Sequence, residues 1–359
     1  MITSVPKRGR RAWFTGLLVV VTIGLSAPLG GCYYWQAARG QVQLLSAREP
    51  IAEVVADAQT PMAIRDKLRL SQRARVFAHT QLALPNNGSY TSFVDLQRDY
   101  VVVNVFAAPE FSLDPKTWCY LFIGCLAYRG YFDEQAALRY ASKLTERGFD
   151  AVTGKVPAYS TLGRFQDPVL STMLNRSDEG LVALLFHELA HQVVYVDGDT
   201  GFNESFASFV ASEGLRLWRR QHALDSGEGA ASDRAQAART RALRQRRREL
   251  IDSVRDQLGE IYISERADSA KRTAKAQVFT QLAQDWVAAG LSGGAPSNNA
   301  ALVPVSLYDD LTPAFARVFV RCEQSFECFY AQVIALGEIS DRAARREALA
   351  AAQLLPDPR

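Results

Sequence analysis

The chain has 359 residues, of which 48% are hydrophobic and 22% are charged, and its formal net charge is +3 at pH 7. These values fit a globular protein with a substantial core, and they exclude collagen-like, low-complexity and multi-span membrane classes. Because the charge is nearly balanced, the composition does not demand a nucleic-acid partner.

The N-terminal segment has the pattern of an export signal. Its basic residues are Lys7, Arg8, Arg10 and Arg11. The apolar run that follows, from Ala12 to about Ala27, is too short and too interrupted by Gly and Pro for a comfortable spanning helix. It ends in Leu29-Gly30-Gly31-Cys32, which resembles a bacterial lipobox and implies lipidation of Cys32 after removal of a signal peptide over 1–31.

Tyr33, rather than Asp, follows the predicted lipidation site, which in Gram-negative lipoproteins favours sorting to the outer membrane. The sequence therefore predicts a protein of the cell envelope that is lipid-anchored at the outer membrane and faces the periplasm. The alternative is an ordinary signal peptide or an uncleaved anchor, and both also place the body of the protein outside the cytoplasm.

Four cysteines remain besides Cys32, in two pairs with six-residue spacing: Cys119 with Cys125, and Cys322 with Cys328. In an oxidising compartment an even number of cysteines indicates disulfides. Three connectivities are possible, and the spacing favours the two local ones. A four-cysteine metal site is the alternative, but the chain lacks the CxxC spacing of such sites.

The first half of the chain predicts helices around two strands. Helical periodicity runs from Gln36 to Leu84, with Pro61 in the first turn of a long amphipathic helix. YVVVNVF at 100–106 predicts a buried strand. Asp133 can cap a helix that ends before Gly148. AVTGKVPAYSTLG, which follows, predicts a second, irregular strand.

The second half predicts helices almost throughout. SDEGLVALLFHELAHQVVYV is apolar nearly all round and should be buried. After DGDTG, a helix resumes at FNESFASFVASEGLRLWRRQ, and residues 228–290 form a long charged helical tract in which Gly259 is the weak point. We expect a mainly α protein with a small β-sheet (α+β), organised as one domain over 32–359.

HELAHQ at 187–192 has the spacing of a metal-dependent hydrolase. Residues four apart share one helix face, so His187 and His191 can bind one ion, and Glu188 beside them can reach a water on it. A catalytic zinc site uses three protein ligands and keeps one position open. The predicted role of Glu188 is that of the general base for a zinc-bound water. A buried helix with two satisfied histidines is the alternative.

The third ligand decides the class of site. His79 is far upstream, His222 lies behind a helix, and no HxxGxxH segment follows the motif. Glu204 begins a helix that can fold back antiparallel on the first one after the tight DGDTG turn. Glu213 is nine residues later and about 180° around that helix, so only one of the two can face the metal. We choose Glu204, which also lies where the helix dipole stabilises a carboxylate.

Polar residues of the turn are candidates for supporting roles. Asp197 and Asp199 are possible ligands, and Asp199 is a possible acceptor for the outer N–H of a ligating histidine. The simpler interpretation is that an Asp in such a turn is only a turn residue. Asn203, beside Glu204 near the helix N-terminus, is a further candidate for the surroundings of the metal.

Several segments together resemble the bacterial family of predicted zinc aminopeptidases. They are HELAHQ–VY–D–T–FNESFA, YRGYFD, AYSTLGRFQDPVLSTML, SNNA and LYDDLTPAFARVF. The resemblance covers about 32 to 340. It implies a zincin-like metallopeptidase core, with His187, His191 and Glu204 as ligands of one Zn²⁺ and Glu188 as the base.

The same resemblance points to groups around the substrate. Tyr128, Tyr131 and Tyr159, with Arg129, lie in matching segments and are candidate donors to the oxyanion, although each is equally a candidate for simple packing. The predicted strand at AYSTLG is a candidate edge strand with which an extended peptide substrate could pair.

Aminopeptidase action also needs a carboxylate for the substrate's α-ammonium group. Better-known zinc aminopeptidases carry Gly-x-Met-Glu-Asn ahead of HExxH, which is absent here. Asp167 lies in roughly the corresponding stretch.

Residues 239–248 are strongly basic, but acidic residues return from Glu249 onward at helical spacing and no aromatic residues are interleaved. This favours a solvated, salt-bridged helix over a nucleic-acid site. A contact with anionic lipid headgroups is the remaining functional interpretation of this helix.

The sequence predicts a lipid-anchored zinc peptidase that acts on peptides, and an aminopeptidase in particular. Two alternatives stay open: a non-catalytic envelope lipoprotein with a structural zinc site, and an envelope protein whose basic helix contacts a membrane or a partner. An intact Glu188 favours the enzyme, because a structural site needs no base. The substrate, the choice between exo- and endopeptidase action and the oligomeric state stay open.

Overall fold

The computed structural model describes residues 31–120, 124–158, 160–226, 230–306 and 311–351. Residues 1–30, which contain most of the predicted signal peptide, lie outside these ranges. Tyr159, one of the candidate oxyanion donors, also lies outside them. The chain divides into two units, 1–47 and 48–359. In the first unit, helix α1 spans Gly31–Ser46 and contains Cys32. No helix within the described ranges combines the length and the apolar character needed to cross a membrane.

A three-stranded antiparallel sheet lies at the centre of the first half of the second unit. Its strands are β3 (Val102–Pro109) in the middle, flanked by β6 (Arg129–Tyr131) and β7 (Phe149–Val156). Val103 pairs with Tyr131 on one side and with Lys155 on the other. All of β3 except Pro109 is buried, as its continuous apolar sequence predicts.

Helix α4 (Glu134–Thr145) connects β6 to β7 and begins at the predicted cap, where Asp133 Oδ1 accepts a hydrogen bond from Ala136 N at 2.5 Å. Strand β7 ends at Val156, which is earlier than the sequence predicted. The prediction of a strand through 163 was wrong for the described residues, because Pro157 has no N–H with which to continue the ladder. The proposed peptide-binding edge in AYSTLG is therefore not a strand in its described part.

Short strands lead the chain into the helical part. They are β1 (Glu49–Pro50), β2 (Ser92–Val94) and β8 (Val169–Leu170) in one sheet, and β4 (Trp118–Tyr120) and β5 (Gly124–Leu126) in a hairpin. Strand β2 pairs in parallel with β8 and antiparallel with β1. In the hairpin Cys119 lies opposite Cys125, and the two form a disulfide.

Two packed helices carry the histidine motif and the acidic residues after it. The helices of this layer are α2 (Ile51–Ala56), α3 (Met62–Leu82), α5 (Ser171–Leu174), α6 (Asp178–Ala190) and α7 (Thr200–Ser226). Arg219 of α7 binds Glu179 at the start of α6, whereas Glu204 at the start of α7 meets His187 at the end of α6. The two helices are therefore antiparallel. A Cβ on Gly214 would lie 2.6 Å from Leu82 Cδ1, so this residue lets α7 approach α3 closely.

The charged tract forms two helices, α8 (Ala230–Ile263) and α9 (Asp268–Ala288). The interruption falls between them and not at Gly259, which lies inside α8. Both helices contribute to one buried cluster: Ile251, Val254, Leu258, Phe279, Leu282, Trp286 and Leu302. Arg246–Arg248 are exposed, as expected for a solvated face.

The C-terminal helices are α10 (Asn299–Ser306), α11 (Thr312–Arg321), α12 (Phe326–Gly337) and α13 (Arg342–Ala351). The Cys322–Cys328 disulfide closes the turn between α11 and α12, so both local disulfides are confirmed. Phe206 and Phe209 of α7 pack against aromatic rings of α11 and α12. The described chain is mainly helical with small sheets, which confirms the α+β expectation.

Candidate metal centre

Helix α6 places its two histidines on one face at the edge of the core. Ser177 caps the helix, since its Oγ accepts a hydrogen bond from Gly180 N at 3.1 Å. His187 lies in the last turn, and His191 follows at the C-cap with helical backbone angles, so the four-residue spacing places both rings together. Phe186 and Leu189 are buried on the other faces and hold the helix against its neighbours.

The turn after α6 is held by side chains at the start of α7. The Asn203 carboxamide accepts from Val196 N and donates to Val196 O, both at 2.8 Å. Asp199 Oδ1 accepts from Phe202 N at 3.3 Å and so caps α7. These bonds direct the first turn of α7 back toward α6, with Glu204 on the facing side.

Three side chains then converge. His187 Nε2 lies 3.3 Å from Glu204 Oε2, His191 Nε2 lies 3.6 Å from Glu204 Oε1, and the two Nε2 atoms are 3.2 Å apart. One ligand atom from each of the three residues lies within 4.8 Å of the others. No second group of this kind occurs among the residues that the structure describes.

The other candidates for a third ligand lie elsewhere. Glu213 is engaged by Arg216, whose Nε is 2.9 Å from its Oε2. His79 Nδ1 faces the Leu84 carbonyl at 3.3 Å, and His222 stacks on Trp218. Glu204 is therefore the carboxylate that the fold brings to the two histidines.

Burial and mutual charge shape the ionisation of this group. Burial lowers the pKa of His191 to about 4 and raises the pKa of Glu188 to about 7. Burial also opposes the charged forms of His187 and Glu204, but their contact outweighs it, so the pKa of His187 rises and the pKa of Glu204 falls.

The donor set fits a zinc ion. Two atoms that bind one tetrahedral zinc at 2.0–2.1 Å lie about 3.3 Å apart. The observed separations of 3.2, 3.3 and 3.6 Å are close to that value. Two imidazole nitrogens and one carboxylate oxygen also leave a fourth position for catalysis.

Asp199 does not accept a hydrogen bond from the outer ring N–H of His187 or His191 in the described structure. Its carboxylate contacts Arg345, with Nη2 at 3.0 Å and Nε at 3.2 Å. His191 Nδ1 is buried and has no hydrogen-bond partner within the described ranges. Asp199 and Asn203 therefore support the turn that carries Glu204, and they do so through the backbone.

Asp167 is enclosed behind the site. It is 1% exposed, and it accepts hydrogen bonds from Thr161 N at 2.9 Å, Thr161 Oγ1 at 2.8 Å and Ser160 Oγ at 3.2 Å. Its oxygens are occupied by the 160–167 loop, which makes it unsuited to receive an α-ammonium group from a substrate.

Tyr128 and Tyr131, the candidate tyrosines within the described ranges, lie in and beside the three-stranded sheet. Tyr131 is a residue of β6, with its ring 5.8 Å from that of Tyr140, and Tyr128 packs against Phe106 at 5.9 Å. Arg129 lies 4.7 Å over the Tyr140 ring. These contacts are packing contacts of the sheet and of α4.

Sequence reasoning missed Tyr195. It follows His191 by four residues and is 40% exposed. Burial, then the charges of Asp197 and Glu204, raise the pKa of Tyr195, and Arg164 opposes them. The signal was present in HELAHQVVY, where the tyrosine continues the four-residue spacing of the histidines.

Comparison with known families agrees with a hydrolytic site. A family model over residues 32–349 places the chain in the class of peptidases. The chain belongs to the family described as "Putative aminopeptidase". No curated protein and no solved structure matched the chain.

Proposed function

We propose that the protein is a zinc-dependent peptidase with a zincin-like core, in which His187, His191 and Glu204 hold one zinc ion. The observation that carries the proposal is the convergence of their three ligand atoms within 4.8 Å. Glu188, next to His187 in the motif, is the proposed general base. Family membership supports peptide hydrolysis as the reaction.

Zinc, when bound, supplies a Lewis acid that polarises the scissile carbonyl and brings the pKa of water toward about 7. Glu188 accepts the proton of the attacking water and passes it to the leaving nitrogen. Burial raises the pKa of this carboxyl to about 7, so it can accept and return a proton near neutral pH.

Tyr195 is the proposed donor to the oxyanion that forms on the attacked carbonyl. Its ring is 40% exposed and follows His191 by four residues, and burial, then the charges of Asp197 and Glu204, raise its pKa. A hydroxyl at this position can reach a bound substrate, which a fully buried tyrosine cannot.

Asp197 is the proposed acceptor for the substrate's α-ammonium group, which would make the enzyme an aminopeptidase. Its carboxylate is exposed, lies close to Tyr195, and forms no ion pair within the described ranges. Gly124 of the disulfide hairpin covers it so closely that a Cβ there would collide with the carboxylate. The hairpin thus lies directly against the Asp197 carboxylate.

For the location we propose a lipid anchor at Cys32 and a place in the cell envelope facing the periplasm. The lipobox-like segment and the two disulfides support this, because disulfides persist in oxidising compartments.

The decisive experiment is digestion of a mixed peptide library by the purified protein and by Glu188→Gln, with products analysed by mass spectrometry. Glu213→Gln is the matched control, because this glutamate lies on α7 but is held by Arg216. Stepwise loss of N-terminal residues, absent in Glu188→Gln and after chelation, establishes a zinc aminopeptidase. Internal cuts with the same dependence keep the zinc chemistry and remove the exopeptidase assignment. A zinc-loaded protein that cuts nothing favours the structural-zinc alternative.

A further inference from the structure

Tyr90 combines two unfavourable features at one residue. It is 1% exposed, and its hydroxyl has no hydrogen-bond partner within the described ranges. Its φ of +62° lies in the left-handed region, which is rare and strained for a bulky side chain. A buried hydroxyl without a partner also costs free energy. Strain and unmet polarity at one position point to a function other than stability.

The backbone of Tyr90 is held from two sides. Its N–H donates to the Asp167 carbonyl at 2.6 Å, and its own carbonyl accepts from Gln72 Nε2 at 2.7 Å. Asp167 is itself anchored by the 160–167 loop. The strained conformation is therefore imposed by neighbours that fix the direction of the ring.

The segment before Tyr90 contacts the chain one turn after the general base. Gln192 lies one turn after Glu188, and its side chain contacts the segment before Tyr90: Asn87 Nδ2 at 2.9 Å and Ser89 Oγ at 3.3 Å. The face that carries Glu188 thus rests against this segment. Burial first, then the negative charges of Glu188 and Asp167, raise the pKa of Tyr90, and Ser160 opposes them.

The other polar neighbours of the hydroxyl already have hydrogen-bond partners. Ser160 lies close enough to lower the pKa of Tyr90, but its Oγ already donates to Asp167 and accepts from Leu162 N. Asp167 already accepts three hydrogen bonds, from Thr161 and Ser160.

We propose that Tyr90 is a positioning residue for Glu188, and that its hydroxyl donates a hydrogen bond to the ionised Glu188 carboxylate in the reacting enzyme. This rests on the proposed function. A buried carboxylate needs a donor once it is charged, and such bonds are often long before substrate binds. The bond directs one carboxylate oxygen and leaves the other for the attacking water. In this proposal the strained backbone of Tyr90 fixes the hydroxyl in place before the substrate binds.

The test compares Tyr90→Phe with Tyr330→Phe. Tyr330 is also buried, but its hydroxyl is satisfied by the Leu82 carbonyl at 2.8 Å. We expect Tyr90→Phe to lower kcat roughly 10- to 100-fold, the worth of one hydrogen bond to a charged group, with KM and zinc affinity unchanged. Its thermal midpoint should stay the same or rise, because an unsatisfied hydroxyl is removed. Tyr330→Phe should lower the midpoint and leave kcat unchanged.

An active wild type with an equally active Tyr90→Phe overturns the proposal for Tyr90 alone. A kcat loss that accompanies lower zinc affinity or a lower midpoint also overturns it, because the residue is then structural. A wild type that hydrolyses nothing overturns the proposed function, and the role of Tyr90 with it.

A second measurement uses Glu188→Asp, whose carboxylate is one methylene shorter and should lose the proposed hydrogen bond. In that background Tyr90→Phe should cost little further rate. An equal loss in both backgrounds shows that Tyr90 does not act through Glu188.

Discussion

Asp199 and Arg345 form a buried ion pair across 146 positions of the chain, with Arg345 Nη2 3.0 Å from Asp199 Oδ2. The two side chains are 1% and 4% exposed. Arg345 also donates to the Ile339 carbonyl, and Asp199 also caps the helix that carries Glu204. The C-terminal helix α13 is therefore fastened to the turn that places the third candidate ligand.

Removing Arg345 should destabilise the protein strongly. Arg345→Ala leaves Asp199 buried without its main partner, and breaking such a pair costs about 3–5 kcal/mol. Arg342→Ala is the matched control, because this arginine lies 3.5 Å from the same carboxylate but its side chain is 56% exposed, so the change should stay below about 1 kcal/mol. Urea unfolding measures both. Similar losses in the two variants would contradict the assignment of Asp199–Arg345 as the principal contact.

Glu188→Gln should stabilise the metal-free protein increasingly as the pH rises. The pKa of Glu188 is about 7 in the folded protein, against 4.5 ordinarily, so between these values the folded state holds a proton that the unfolded state has released. The free energy of unfolding of the wild type therefore falls as the pH rises through this window, and glutamine removes the effect.

Since one pKa unit corresponds to about 1.4 kcal/mol, the difference between wild type and variant should grow by about 3 kcal/mol from acid to mildly alkaline pH. Denaturant unfolding in the presence of a chelator, repeated across the pH range, measures it. If the difference in the free energy of unfolding between wild type and Glu188→Gln does not change with pH, the prediction is contradicted.

Tyr195→Phe should lower kcat by roughly 10²- to 10³-fold, as loss of one oxyanion donor does, with zinc affinity retained. Steady-state kinetics measure kcat, and a metal-competition assay measures the zinc affinity separately. Tyr34→Phe is the control, since Tyr34 is an exposed residue of α1. Full activity of Tyr195→Phe would show that Tyr195 is not the oxyanion donor.

Asp197→Asn should raise KM for peptides with a free N-terminus and leave N-acetylated peptides unaffected. The physical reason is that asparagine is nearly the same size but lacks the charge that attracts an ammonium group. Paired substrates that differ only in acetylation give the measurement. An equal effect on both substrates would show that Asp197 does not recognise the α-ammonium group.

Local patterns in the sequence determined much of the helical part. The capping of α4 by Asp133, the burial of α6 and the two six-residue disulfide loops depend on contacts between residues close in the chain. The strand after α4 is shorter than its sequence pattern predicts, because Pro157 has no N–H with which to continue the ladder. The charged tract, which the sequence predicts as one helical stretch, turns at 264–267 so that α8 and α9 can bury a shared face.

The four-residue histidine spacing, the glutamate between the histidines and the angle separating Glu204 from Glu213 are properties of single helices, and the sequence by itself determined them. Only the tertiary structure decided that Arg345 reaches Asp199, that Tyr90 is buried with a strained backbone, and that Tyr195 is exposed to solvent. Those relationships join segments far apart in the chain or depend on which way a turn faces. Their stability depends on the packing of the whole core, which no local spacing in the sequence encodes.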